Sequence, residues 1–189
     1  QNRIKVSAIV STYNSEKFIR GCLDDLLNQT IYQRGELEIV VVNSGSTENE
    51  ESIVKEYQSK FQNIKYLKTK RETIYSAWNH AINLSSGKYI TNANTDDRHR
   101  NDALELMAEK LDQNEEAGLV YADQYITYHE NQSYEKHVSA GYFEWPKFDR
   151  IQLIHCAICG PQPMWRKNLH DKFGYFNDKV SLVPCAIFL

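Results

Sequence analysis

Proline and cysteine are scarce in this sequence, with 4 of each among 189 residues. The cysteines (Cys22, Cys156, Cys159 and Cys185) are too few and too irregularly spaced for a disulfide framework. Cys156-x-x-Cys159 beside His155 is only half of a usual structural zinc site, so reduced, packed thiols are expected. No apolar run nears the roughly 18 residues that cross a bilayer, and the first residues lack the charged-then-apolar order of a signal peptide. The expected compartment is the cytoplasm, with the inner face of the membrane left open. An excess of positive charge is also missing: 22 Lys and Arg stand against 25 Asp and Glu, and the bases are scattered. No nucleic-acid partner is expected, and any anionic ligand must be held locally.

What is present suits one domain with a real core: 41% hydrophobic and 25% charged residues over a length typical of a single unit. The segment IKVSAIV (4–10) reads as a buried strand and runs into the polar turn STYN. Phe18, Ile19, Cys22, Leu23, Leu26 and Leu27 then recur at helical spacing, with Asn14 or Ser15 placed as the cap. The pattern repeats. LEIVVV (37–42) is a strand, NSGST a loop, and Ile53, Val54, Tyr57 and Phe61 one helix face, with Thr47 and Glu50 spaced for a capping box.

A third strand (64–68) leads to a helix carrying Ile74, Ala77, Trp78, Ala81 and Ile82, and Ser85-Ser86-Gly87 gives a glycine stop signal. KYITNA (88–93) is the fourth strand. A helix with Asn101 or Asp102 as cap turns Leu104, Met107, Ala108 and Leu111 inward, and GLVYADQYITY (118–128) reads as a fifth strand. Strands alternating with amphipathic helices predict an α/β fold with a doubly wound, mostly parallel sheet. From about residue 131 the periodicity fades, with loops around Pro146, Pro161 and Pro163.

In open α/β sheets, ligands bind beyond the carboxyl ends of the strands. There the sequence places Ser11-Thr12-Tyr13-Asn14, Asn43-Ser44-Gly45-Ser46 and Asn94-Thr95-Asp96-Asp97, with Lys70, Arg71 and Arg98 near that edge. Two adjacent carboxylates, Asp96 and Asp97, repel one another unless a cation compensates them. Hard divalent ions take oxygen ligands through one or two carboxylates plus substrate phosphates, so Mn²⁺ or Mg²⁺ with a nucleoside diphosphate suits this edge.

VSAIVSTYNSEKFIRGCLDDLLNQT, EIVVVNSGSTENE, SAWNHAINLSSGKYI and NTDD resemble, in order and spacing, the nucleotide-sugar half of family 2 glycosyltransferases of GT-A fold. The similarity covers about residues 4–125, and GPQPMWRKNLHDKFGYF (160–176) is similar to the family's acceptor-side segment. The resemblance implies one GT-A-like domain over 1–189, with a nucleotide-sugar-binding half (1–130) and a partial acceptor-side half (131–189). It implies transfer of a sugar, with inversion, from a nucleoside-diphosphate sugar to a hydroxyl of a carbohydrate or lipid-linked acceptor. Peripheral membrane association and a homo-oligomer stay open.

Carried over residue by residue, the resemblance assigns Thr12, Tyr13 and Asn14 to the nucleoside. Asn43 and Ser44 replace the usual aspartate pair at the base, where an amide still hydrogen-bonds a base edge. Asn94-Thr95-Asp96 stands for the D-x-D element, and Asp96 and Asp97 share the ribose and the metal-bridged diphosphate. Arg71 and Asn79 join the nucleotide-binding set, Asn79 from a Trp78-Asn79 pair where the family often has Arg-Asn; Trp78 is expected to pack.

The general base is where the chain departs most from its apparent family. GYFNDKVSLVPCAIFL has no acid after Asp178, where an acidic motif is usual. Three explanations stay open: a chain shortened or altered near its end, another acid (Asp123, Asp171 or Asp178) as base, or a donor-binding module that does not transfer. A nucleotidyltransferase is the remaining alternative, although STYNSEK lacks the glycines of such a strand-one loop.

Overall fold

The computed structural model describes residues 4–155 and 158–179. Its centre is a pair of strands, β1 (Val6–Thr12) and β2 (Leu37–Asn43), running parallel in register from Val6 opposite Leu37 to Thr12 opposite Asn43. Every residue of β2 is buried, as a strand covered on both faces requires. Parallel neighbours need a crossover, supplied by α1 (Glu16–Leu27) and the short α2 (Thr30–Gln33). The same alternation gives α3 (Glu50–Lys60), β3 (Ile64–Lys68), α4 (Ile74–Leu84), β4 (Tyr89–Asn92) and α5 (Ala103–Gln113).

Strand side chains alternate between two cores. Val6, Ala8, Val10, Leu37, Ile39 and Val41 pack with Ile19, Leu23, Val54, Leu104 and Leu111, so α1, α3 and α5 cover one face. Ile9, Val40, Val42 and Ile90 meet Ala77, Ala81 and Ile82 of α4 on the other. The doubly wound α/β expectation holds.

The fifth strand differs from expectation. GLVYADQYITY divides into β5 (Leu119–Val120) and β6 (Gln124–Thr127), and only β5 joins the main sheet. β6 pairs antiparallel with β7 (Ser139–Phe143) as a separate two-stranded sheet. After α6 (Arg150–His155), β8 (Met164–Arg166) inserts between β4 and β5, antiparallel to both, giving the order β3-β2-β1-β4-β8-β5. The place beside β4 goes to β8 because Met164 and Trp165, 0% and 3% exposed, bury far more there than the two residues of β5. A last short helix, α7 (Leu169–Phe173), follows.

Two local signals resolve differently from their sequence reading. α4 ends at Leu84 with Ser85 in extended conformation, so Gly87 is no helix stop. A Cβ there would lie 2.7 Å from the Ser7 backbone nitrogen, so glycine permits close approach of two chains. Around it, buried Glu38 accepts from Ser7 Oγ (2.6 Å), the Ser86 N–H (2.5 Å), Ser86 Oγ (2.8 Å) and Lys65 Nζ (2.8 Å). Burial alone raises the pKa of Glu38, but Lys65 and the hydroxyl and N–H donors outweigh it and hold the carboxyl below its usual range. Asp102 precedes α5 without capping it, because its carboxylate takes the Arg100 guanidinium at 2.5 Å.

Candidate functional site

β1, β2 and β4 end at one edge of the sheet, and the polar stretches that follow them meet there. Thr12 and Asn43 are direct neighbours in the ladder, and the chain leaves β4 with the Ala93 N–H donating to Ile9 at 2.8 Å. The Ser44 N–H donates to the Thr12 carbonyl at 3.0 Å, closing the first two loops on each other.

Asn14 ties those loops together. Its backbone sits at φ 48°, a conformation asparagine tolerates. Its N–H donates to Ser46 Oγ (3.0 Å), and its Oδ1 accepts from the Thr47 N–H (2.9 Å). Thr47 therefore makes no capping box with Glu50; Asn49 precedes α3 instead. Glu50 is buried and accepts the Ser15 N–H at 2.6 Å, fixing the start of α1. The sequence read Glu50 only as a cap partner, and its long-range role has no local signature.

Asn43 is 1% exposed and both ends of its amide are engaged. Oδ1 accepts the Ser46 N–H at 2.8 Å, an Asx-type turn, while Nδ2 donates to the Tyr66 hydroxyl at 3.0 Å. Tyr66 was not among the sequence candidates. By contrast, Thr12 Oγ1 and Ser44 Oγ are buried without a hydrogen-bond partner among the described residues. Unsatisfied buried hydroxyls are rare in native structures, and these two stand at the ends of adjacent strands.

The third wall comes from β3. Gly45 takes φ +75°, and a Cβ on it would lie 2.9 Å from the Arg71 backbone nitrogen, so the second loop and the 70–71 segment touch through bare backbone. Arg71 stacks over the half-exposed Tyr13 ring at 3.6 Å.

Beyond β4, Asp96 is exposed and Asp97 half-buried. Asn94 Nδ2 donates to Asp97 Oδ2 at 2.8 Å. Burial, with the neighbouring Asp96 charge adding, raises the pKa of Asp97 above the usual carboxylate range against the opposing pull of Asn94. Arg98 is not a free cation at this edge: its guanidinium donates to the carbonyls of Thr95 (2.8 Å) and Asp97 (2.6 Å). His99 is anchored on α1, where half-buried Asp25 accepts its backbone N–H at 3.1 Å and contacts Nδ1 at 2.9 Å.

The remaining candidates are dispersed. Asn79 exchanges two hydrogen bonds with the Phe176 backbone (2.8 and 3.0 Å), so its amide clamps α4 to the 174–177 segment. Trp78 packs edge-on against Tyr75 and Phe176 as expected. Asp123 uses both oxygens, accepting the Tyr142 hydroxyl (2.7 Å) and the Trp145 N–H (2.8 Å), and thereby pushes the Tyr142 pKa up to about 12. Asp171 lies at the opposite edge, in a hollow with Gly87, Lys88 and Lys167. Asp178 is exposed, and its carbonyl accepts the hydroxyl of Thr73, the residue capping α4. That holds the Asp178 backbone at the start of α4, at the carboxyl-end edge of the sheet. Cys22 is a buried thiol, whereas Cys156 and Cys185 lie outside the described residues, as does the apolar stretch 180–189.

Among the described residues no group of three or more His, Cys, Asp or Glu is arranged to hold a metal. The oxygen donors of Asp96 and Asp97 fit a hard divalent ion whose coordination a ligand's phosphates complete.

A parallel α/β sheet with this polar edge defines a nucleotide-binding class of protein, and comparison with known proteins narrows it. The chain belongs to Glycosyl transferase family 2, which matches residues 7–173. It is 28% identical over 176 residues to a chondroitin synthase of Escherichia coli, covering 93% of this chain and 24% of that protein. It is 31% identical over 186 residues to an uncharacterized glycosyltransferase of Rickettsia bellii, covering 98% and 26%. The chain thus spans about a quarter of the length of these relatives. Among solved structures, residues 1–349 of S. aureus TarS superimpose with TM-score 0.74 at 23% identity, covering 95% of this chain and 52% of that one. The GT-A arrangement expected from the sequence is the fold observed. A mannosyltransferase from Pyrobaculum calidifontis, solved with GDP-Man and Mn²⁺, gives TM-score 0.70 at 21% identity, covering 94% and 49%.

Proposed function

We propose that this chain forms the donor site of an inverting glycosyltransferase that moves a sugar from a nucleoside-diphosphate sugar to an acceptor hydroxyl. The observation that carries the reading is the pair of buried, unpartnered hydroxyls, Thr12 Oγ1 and Ser44 Oγ, at the strand edge that also bears Asp96 and Asp97. UDP and UDP-GlcNAc complexes of TarS, and the GDP-Man complex above, support a nucleotide-sugar donor. Chondroitin and hyaluronan synthases among the relatives support a growing glycan as acceptor.

In this reading Thr12, Tyr13 and Asn14 hold the nucleoside, with Asn43 and Ser44 at the base. Asn43 presents one further lone pair and one further N–H, and so meets either a donor or an acceptor on the base edge. Asp96 and Asp97 hold Mn²⁺ or Mg²⁺, which offsets the charge growing on the departing diphosphate. Arg71, stacked on Tyr13, joins this nucleotide-binding set. Asn79 acts indirectly, by holding the 174–177 segment against α4. Of the three acids considered as base, Asp178 is the one whose place suits the role, since Asp123 has both oxygens engaged and Asp171 faces the other edge.

Thermal shift with UDP, GDP, CDP and ADP, each with Mn²⁺ or EDTA, tests the reading, because a ligand bound to the native state raises apparent stability. Metal-dependent stabilisation by one nucleotide, lost in Asp96→Ala, is the expected result; no stabilisation by any nucleotide refutes it. The engaged oxygens of Asp123 favour a second reading, a module that binds the donor without transferring it. Tight nucleotide binding with neither hydrolysis nor transfer would select it.

A further inference from the structure

Both terminal nitrogens of the Arg98 guanidinium hold chain to chain. Besides the carbonyls of Thr95 and Asp97 it reaches the Phe18 carbonyl of α1 at 3.3 Å and the Asn131 side-chain oxygen. Asn131 lies at φ +61° in the connection between β6 and β7, far along the chain from the sheet edge. Its Nδ2 donates to the Lys17 carbonyl at 3.0 Å, and the adjacent Glu130 pairs with the Lys17 ammonium. The tip of the β6–β7 arm is therefore pinned to the start of α1 and, through Arg98, to the loop carrying Asp96 and Asp97.

Gly21 leaves room for this joint. A Cβ there would lie 2.5 Å from Asn131 Oδ1 and would overlap the Arg98 guanidinium. Glycine inside a helix is unfavourable relative to alanine, so its presence in α1 needs a reason, and the seat of Arg98 and Asn131 supplies one.

The geometry points to Arg98, seated between Gly21 and Asn131, as a positioning residue that straps the Asp96–Asp97 loop to the β6–β7 arm. The strap fixes where the two carboxylates stand, so a displacement of the arm is passed to them through the Arg98 guanidinium. The role in ligand binding rests on the donor-site reading; the strap itself does not.

Three variants of this chain test it: Gly21→Ala, Asn131→Ala and Asn131→Asp. Each is titrated with UDP, GDP, CDP and ADP in Mn²⁺ or EDTA, and amide hydrogen exchange is followed over residues 95–98. Losing a hydrogen bond to a charged group predicts roughly tenfold weaker Mn²⁺-dependent nucleotide binding in Gly21→Ala and Asn131→Ala. Exchange over 95–98 should accelerate in both. The Gly21→Ala unfolding midpoint should hold or rise, because alanine favours helix, and that separates loop positioning from general destabilisation. Asn131→Asp keeps the acceptor for Arg98 but loses the donor to the Lys17 carbonyl, so both readouts should fall between Asn131→Ala and the unaltered chain. Unchanged exchange over 95–98 in both Gly21→Ala and Asn131→Ala overturns the strap. If the unaltered chain binds no nucleotide with Mn²⁺, the donor-site reading is what fails, and exchange alone then decides the strap.

Discussion

The Arg71 guanidinium lies 3.6 Å from the centre of the Tyr13 ring, joining the loop after β1 to the segment after β3. Between them runs the loop after β2, with Gly45 pressed on the Arg71 backbone. Three of the four parallel strands thus have their carboxyl-end loops in mutual contact.

Gly45→Ala should break this junction. A residue with a side chain in the left-handed region costs about 1–2 kcal/mol, and the added carbon meets backbone that has no rotamer to yield. Urea unfolding should show that loss, with nucleotide affinity falling alongside. Arg71→Ala removes the ring contact, about 0.5–1 kcal/mol at an exposed site, and an exposed hydrogen bond to the Glu72 carbonyl, so its affinity loss should exceed its stability loss.

Thr12→Val and Ser44→Ala should act in the opposite sense on the free protein. Each removes a buried hydroxyl that has no partner among the described residues, so stability stays level or rises by about 1 kcal/mol. Nucleotide binding should weaken in both. A drop in stability without any change in binding would show that these hydroxyls serve the fold.

Asp96→Asn should leave the unfolding free energy within about 0.5 kcal/mol, as is usual for an exposed position. Its Mn²⁺-dependent binding should fall roughly a hundredfold, the equivalent of about 2.8 kcal/mol. Calorimetry in Mn²⁺ and in EDTA checks this, and equal affinities in the two media for the unaltered chain would remove the metal from the site.

Glu38 sets a pH dependence of stability at the other edge of the sheet. Its folded pKa is depressed, so its contribution is complete above the unfolded value of about 4.3 and is lost as pH falls through the folded value below it. Unfolding measured from pH 6 down to 2 should show a decline that flattens in Glu38→Gln. That variant should also be less stable at neutral pH by about 2–4 kcal/mol, since Lys65 and the Ser7 and Ser86 donors lose a buried charge.

How much of this was legible in the sequence depended on where the information lies. β1 and β2 announced themselves because strands buried on both faces are continuous apolar runs. The site edge was legible for the same reason: strand ends are easy to find, and polar residues follow them. β8 was not, since three residues after Pro163 carry no period and owe their strand conformation to Tyr89, Ile90 and Thr91 across the ladder. Asn79 was read as facing phosphate, but the Phe176 backbone that engages it is 97 positions away. Arg98 misled likewise, because no local pattern distinguishes a guanidinium that meets a ligand from one that meets carbonyls. Departures such as Asn43 and Asn94 were visible at once, yet only the structure shows their amides bonded to Tyr66 and Asp97.

The insertion of β8 also dictates an order of assembly. β5 reaches the main sheet only through β8, although it leaves the ribosome some forty residues earlier, as Val120 pairs with Met164. The four parallel strands are complete by Asn92 and close over short, local crossovers, whereas the far side of β4 must stay unpaired until the returning chain arrives. A nascent chain halted before residue 164 would hold its donor edge in register while exposing one open strand, the condition in which such intermediates are most prone to associate.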